Sequence, residues 1–375
     1  MNFVEIATKL FMHPDLLYRI AVTMIPNIGP VLQKRLIQHF ETASDIFTAR
    51  KKELCAVDGI SEWLAKQIKS WNDFSFAESE LVFLEKHHIC PLFINDKAYP
   101  QRLINCYDAP IMLYFKGHCN LNEQKIISII GTRTNTLYGK QIAELIIEQL
   151  PKNVLIVSGL AFGIDAIAHK AALKNELKTL GVLAHGLDDL YPAQHRSLAK
   201  EIVQQGGLLT EFNQKTKPDK HNFPKRNRIV AGIADATIVI ETAIKGGSMI
   251  TADLAFQYNR ELFAVPGKIN DTKSAGCLKL IQENKANLYT SIEHFLATMN
   301  WASKIKSTIN QLSIFASLTP DEQLVVELIN KKGQFALDEL KNNVGFSSSK
   351  MASVLLSLEL QNIIHIIPGK MIALV

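Results

Sequence analysis

No two of the five cysteines (Cys55, Cys90, Cys106, Cys119 and Cys277) stand in a CxxC spacing, and an odd number cannot all pair. That excludes a disulfide framework and a cysteine-rich zinc site, and it points to reduced thiols in a cytoplasmic protein. The chain has no apolar run near the roughly 18 residues a membrane helix needs. Its first residues, where Glu5 and Asp15 flank a short apolar stretch, lack the basic-then-apolar layout of a signal peptide. Two phosphate motifs are missing as well. Gly139-Lys140 runs into Gln141 without the earlier glycine of a P-loop, and no GxGxxG follows the first strand-like run of the central region. ATP and NAD are therefore disfavoured, and no cofactor or metal is expected. Catalytic signatures are equally thin. Ser158-Gly159 lies outside any GxSxG. Asp165 and His169, four apart on a predicted helix, have no third ligand in sight. Capping or loop orientation by Asp165, and packing or hydrogen bonding by His169, is the simpler reading. Glu241, at a strand end, reads as the residue that orients the Gly246-Gly247 loop rather than as a base.

What the chain does have is apolar residues, 47% of the total over 375 positions, enough for two or three domains with real cores. Residues 1–75 read as all-helical. There, Ile25-Pro26-Asn27-Ile28-Gly29-Pro30 leads into a helix at Val31–Phe40, and Val57-Asp58-Gly59-Ile60 leads into another at Ser61–Trp71. An apolar residue, a tight turn and a helix, given twice, is the layout of paired helix-hairpin-helix units of the SAM-like kind. Such a hairpin can hold a phosphate at a helix start. The usual second glycine is replaced by Pro30 and Ser61, so a plain helical packing module is an equal reading. Residues 76–122 read as a connector. Residues 297–316 read as a linker. Residues 317–375 read as three helices and a β pair (Ile363–Ile367 and Met371–Val375, turned at Pro368-Gly369), the order of a winged-helix domain. Its expected recognition helix, Ser347–Gln361, carries only Lys350 and Glu359, which favours contact with a partner over reading a DNA groove.

Between residues 123 and 296 the pattern is α/β. Apolar runs at Ile126–Ile130, Val154–Val157, Thr179–Ala184, Leu208–Glu211, Thr237–Ile240 and Leu262–Val265 alternate with amphipathic stretches such as Gln141–Leu150, Ile164–Asn175 and Gln194–Gln205. Strands this apolar predict a mostly parallel, doubly wound, Rossmann-like sheet covered on both faces. In such sheets ligands sit beyond the carboxyl ends of the strands. Here three glycine-bearing turns fall at that edge: Gly131-Thr132-Arg133, Ser158 to Asp165, and Lys245 to Ala252. Glycines let a backbone approach an anion, and free N–H groups at the next helix start stabilise it.

The charge is placed to match. Residues 1–122 hold 13 Lys/Arg against 13 Asp/Glu, whereas residues 123–296 hold 21 against 17. Six of those cations lie between Lys215 and Arg228, where Phe223-Pro224-Lys225-Arg226-Asn227-Arg228 sets an aromatic ring among three cations and an amide. Unpaired bases need stacking platforms and a charged backbone needs cations, so this composition suits a single strand.

These motifs resemble the DprA/Smf family of DNA-processing proteins. The resemblance rests on Ile130-Gly131-Thr132-Arg133 with Tyr138-Gly139, on Ser158 through Asp165 with Ala168-His169, and on Gly186-Leu187-Asp188 with Tyr191-Pro192. It continues through Phe223 to Ile229, Gly246-Gly247-Ser248 with Thr251-Ala252, and Arg260 with Ala264-Val265-Pro266-Gly267. The sequence departs from the pattern at Leu278 and at Asn284-Lys285, late in the domain. The resemblance implies an extended Rossmann fold that binds single-stranded DNA without strong sequence preference, and with the thin catalytic signatures above a non-enzymatic binder is expected. It also implies a homodimer, loading of the RecA recombinase, protection of incoming DNA and a role in natural transformation. Carried to matching positions, it implies DNA contacts at Arg133, Ser158, Lys225, Arg226, Asn227, Arg228, Gly247 and Ser248, with base contacts at Phe162 and Phe223. Two rivals stand beside it. One is a nucleotide phosphoribohydrolase of the lysine-decarboxylase-like Rossmann group, which also has a Gly-Gly loop but carries a glutamate that Gly246–Thr251 lacks. The other is an interaction scaffold with vestigial loops.

Overall fold

A computed structural model describes residues 15–301, 318–332, 334–360, 363–367 and 371–374. Most of the expected linker, and the turn at Pro368-Gly369, lie outside these residues. The described chain divides into two compact units, 1–298 and 299–375.

The first unit opens with five short helices: α1 (Leu16–Met24), α2 (Pro30–His39), α3 (Ala43–Thr48), α4 (Lys51–Cys55) and α5 (Glu62–Lys69). The two hairpin turns reverse the chain by different residues. Gly59 sits at φ +87°, and a Cβ there would press on Leu32 and Arg35. In the first hairpin Asn27 takes the left-handed conformation, at φ 64°, which asparagine tolerates better than most residues. Ile20, Leu36, Ile46, Leu54 and Ile68 are wholly buried in one cluster that continues into the sheet, so the helices dock on the α/β core.

Residues 75–117 carry more structure than a connector. After α6 (Ser75–Lys86) come β1 (Cys90–Phe93), a single helical turn and β2 (Met112–Gly117). Both strands join the main sheet antiparallel, β1 at its edge paired to β2, and β2 paired to β6. The parallel part comprises β3 (Lys125–Ile130), β4 (Val154–Ser158), β5 (Thr179–Val182), β6 (Gly207–Thr210), β7 (Ala236–Val239), β8 (Glu261–Ala264) and β9 (Asn287–Leu288). Between them run α7 (Leu137–Glu148), α8 (Ile164–Lys174), α9 (Arg196–Gln205), α10 (Asn222–Ile233), α11 (Gly247–Gln257) and α12 (Ala275–Gln282). Each predicted strand of residues 123–296 is present, within one or two residues of its expected ends.

The order across the nine strands is β1-β2-β6-β5-β4-β3-β7-β8-β9. The chain therefore builds outward from β3 in one direction through β4, β5 and β6. It then returns to the other side of β3 to lay down β7, β8 and β9. The loops after β3 and β7 diverge at that reversal and leave a crevice between them, the switch point at which open α/β sheets bind ligands. The all-buried burial patterns of β4, β5, β6 and β7 explain why their sequences read as unbroken apolar runs.

The second unit has its own core, including Val325, Ile329, Leu340 and Leu358. Its elements are a helix Pro320–Lys332, a strand Gln334–Ala336, helices Leu337–Val344 and Ser348–Leu360, and strands Ile364–Ile367 and Met371–Leu374. The strand at Gln334–Ala336 pairs with the last one and makes a three-stranded sheet where the sequence suggested two strands.

Candidate nucleic-acid interface

At the switch point lies an open concavity of about 600 Å³, lined after β3 by Gly131, Thr132 and Arg133, after β4 by Gly159 and Ala161, and after β7 by Thr242, Ala243, Gly246, Gly247 and Ser248. Helix α10 closes its side with Phe223, Arg226 and Asn227, and Lys220 stands at the approach. Glu241 and Asp165 fix two of the loops. Buried Glu241 accepts the Thr136 N–H at 2.9 Å and the Thr136 hydroxyl, while its own carbonyl accepts the Thr132 N–H at 2.7 Å. It therefore orients the Thr132–Gly139 segment, not the Gly246-Gly247 loop that the sequence suggested. Asp165 accepts the Ala161 N–H at 3.3 Å and holds the β4 loop from below. Its carboxyl is pushed up by burial and pulled back by Arg226.

Two cations face the concavity with no acidic partner among the described residues. Arg133 is exposed and lies over the Phe223 ring at 5.0 Å, and Lys220 is exposed. The Gly246 cap of α11 supplies no side-chain hydrogen bond, so the N–H groups of Gly247 and Ser248 begin a helix without intrahelical acceptors. A Cβ at Gly247 would meet nothing within 4 Å, so this backbone is open to an incoming group. The Ser248 hydroxyl turns inward instead, to Thr242 Oγ1 at 2.7 Å. Beside the concavity the rings of Phe223 and Tyr191 lie 5.9 Å apart, and exposed Phe162 stacks edge-on against His195 at 5.0 Å. Cations, free amides and aromatic faces together suit a phosphate backbone with unpaired bases.

A family model described as DNA recombination-mediator protein A matches residues 91–300. The chain belongs to this family. Protein Smf of Synechocystis sp. is 36% identical over 293 residues, covering 75% of this chain and 72% of that protein. DNA processing protein DprA of Streptococcus pneumoniae is 38% identical over 238 residues, covering 60% and 84%. The X-ray structure of DNA processing protein A from S. pneumoniae superposes with a TM-score of 0.64 at 31% identity, over 75% of this chain and 97% of that one. A structure of DNA processing protein A from Helicobacter pylori, described for its single-stranded DNA binding mode, has a TM-score of 0.52 at 33% identity. It covers 56% of this chain and 95% of that one. Residues 20–70 match a model described as a SAM-like helix-hairpin-helix tandem, the layout suggested by the two turns.

Within this member of the family, several residues expected at the interface stand elsewhere. Ser158 ends β4 and is wholly buried, its hydroxyl donating to the Ile129 carbonyl at 2.7 Å inside the sheet. Arg228 is 200° around the helix from Arg226. It faces a separate concavity, toward the helical module, donating to the Asp108 carbonyl and pairing with Glu211. Lys225 lines that same second concavity. The cradle therefore joins Arg133 and Ser248 but not Arg228, because one helix cannot aim four consecutive residues in one direction. Arg226 lies beneath the cradle and is only 4% exposed. Lys220 and Tyr191 are not among the contacts that the sequence implies, yet Lys220 lines the concavity and Tyr191 stands beside it. Tyr191 was visible beside the motif Gly186-Leu187-Asp188, but nothing in the sequence placed its ring against Phe223.

His169, the partner of Asp165 in the candidate acid–base pair, is wholly buried. His169 Nδ1 shares a 2.7 Å hydrogen bond with the Thr179 hydroxyl, and burial, reinforced by His195 and Arg226, lowers its pKa to about 3. The imidazole is a neutral core group at physiological pH. No group of three or more His, Cys, Asp or Glu that could hold a metal ion occurs among the described residues, and all five cysteines are free thiols. None of the described helices is long and apolar enough to cross a membrane.

Proposed function

We propose that this protein binds single-stranded DNA at the switch-point cradle without enzymatic turnover, protects it, and as a homodimer loads the RecA recombinase onto it during natural transformation and recombination. The observation that carries this reading is Arg133, an unpaired cation stacked on Phe223 beside the uncapped start of α11. An anion settled there would be neutralised by Arg133 and Lys220 and held by backbone N–H groups, while Phe223, Tyr191 and Phe162 offer faces to bases of any sequence. The single-stranded DNA binding mode described for the related H. pylori protein supports the choice of polymer.

Such binding releases counterions, so log affinity should fall linearly with log salt, at a slope of about −0.7 per phosphate neutralised. Fluorescence anisotropy of a labelled oligothymidylate across a salt series measures this directly. Arg133→Ala should weaken binding on thymidylate and mixed sequences alike, and make the slope shallower by about 0.7. Equal affinity and slope in the variant would remove the cradle from the function. Release of free base from nucleoside monophosphates would replace it with the phosphoribohydrolase reading. RecA filament growth on protein-coated strands, compared with and without the chain, tests the loading step.

A further inference from the structure

Arg226 sits among the motif residues, yet its surroundings suit a load on the fold better than a phosphate. One terminal nitrogen, Nη1, donates to the Gly159 carbonyl and, at 2.5 Å, to the Val182 carbonyl. Nε donates to Asn227 Oδ1 at 3.1 Å. The guanidinium thus links the end of β5, the loop after β4 and helix α10. Asp165 supplies the nearby negative charge, and although burial lowers the Arg226 pKa to about 10, the group stays charged at neutral pH. A Cβ on Gly159 would collide with the guanidinium, so the arginine in this position calls for glycine there.

The bond to Asn227 has a directional result. With Oδ1 committed to Arg226, the amide nitrogen of Asn227 turns toward the Gly247 carbonyl at 3.4 Å, at the rim of the concavity. The amide then presents donors, not a carbonyl oxygen, to whatever lies between α10 and α11. Were the amide reversed, its oxygen would repel a phosphate.

We propose that Arg226 is a positioning residue: it acts on a bound strand through the Gly159 loop and the amide of Asn227 rather than by touching a phosphate itself. This rests on the single-strand reading above. A direct ligand and a positioning residue differ in how they respond to salt. Loss of a phosphate contact changes the slope of log affinity against log salt, whereas a displaced loop lowers affinity at every salt concentration.

The test is oligothymidylate anisotropy over a salt series on the full chain, with Arg226→Lys, Gly159→Ala and Arg133→Ala compared and folding checked by circular dichroism. Arg226→Lys keeps the charge but cannot serve two carbonyls and an amide in a fixed fork. Gly159→Ala removes no cation. Each should weaken binding about tenfold with the slope unchanged, while Arg133→Ala makes the slope shallower. Should Arg226→Lys fail to fold, Gly159→Ala decides alone. Unmodified affinity in Gly159→Ala overturns the proposal, as does near-normal binding by Arg226→Lys together with an Arg226→Ala variant that loses slope as Arg133→Ala does. Absence of binding by the unmodified chain, seen in that control, overturns the single-strand reading and this proposal with it.

Discussion

Arg226 and Arg228 are two residues apart and do different work. Arg228 and Glu211 have side chains only 7% and 11% exposed and face each other on the side of α10 away from the cradle. Removing one member of such a pair leaves a buried charge uncompensated, which costs about 3–5 kcal/mol. Arg228→Ala should therefore lower the urea midpoint by that equivalent while leaving the salt slope of DNA binding intact in the folded fraction. A shallower slope would return Arg228 to the cradle. Asn227→Asp makes the opposite kind of change. It is nearly isosteric and keeps an oxygen for Arg226, but it replaces the donor at the rim with a carboxylate oxygen. Oligothymidylate affinity should fall at least about tenfold, most at low salt where like charges repel least screened. None of this division was legible in the sequence. The run from Phe223 to Arg228 reads as one basic patch until helical geometry sends alternate members to opposite sides.

At the scale of elements, the apolar runs and glycine turns were enough to predict the parallel sheet and the edge at which the concavity lies. They could not reveal β1 and β2. β1 is four residues long and contains Pro91, Tyr99-Pro100 falls between the two strands, and they join the sheet only through the distant antiparallel pairing of β2 with β6, β1 pairing in turn with β2. Nor could they reveal Glu80, an acidic residue on α6 that reads as solvated but is 1% exposed. Both its carboxylate oxygens accept the Gln214 N–H, at 3.2 and 3.0 Å, and so anchor the segment between β6 and α10. Burial, with Asp188 adding to it, raises its pKa to about 7 from the usual 4.5. A carboxyl that binds its proton more tightly when folded stabilises the fold fully below the unfolded pKa. That contribution is lost as pH rises through the folded one. Between pH 4.5 and 7.5 this group should remove about 1–3 kcal/mol of stability. Urea unfolding at pH 5 and pH 8 should show that loss in the unmodified chain and a smaller one in Glu80→Gln. An identical pH dependence in both would assign the effect to other groups.

Across the whole molecule, every cradle residue and the cluster that supports it lie before Thr298, while the described residues beyond 318 have a core of their own. Charge is divided in the same way. Residues 1–298 carry a formal +4 of the chain's +5, so the net positive charge that would steer a polyanion under the proposed function resides almost entirely in the first unit. The only lysine on the last long helix, Lys350, is held by Asp321 at 2.9 Å. A chain ending at Thr298 should therefore fold with an unchanged main thermal transition. It should bind oligothymidylate within about twofold of the full chain and with the same salt slope, since neither the cations nor their supports are removed. A loss beyond about tenfold, or a slope shallower by about 0.7, would place at least one phosphate contact in residues 299–375. That would make the second unit part of the strand's path rather than a surface for a protein partner.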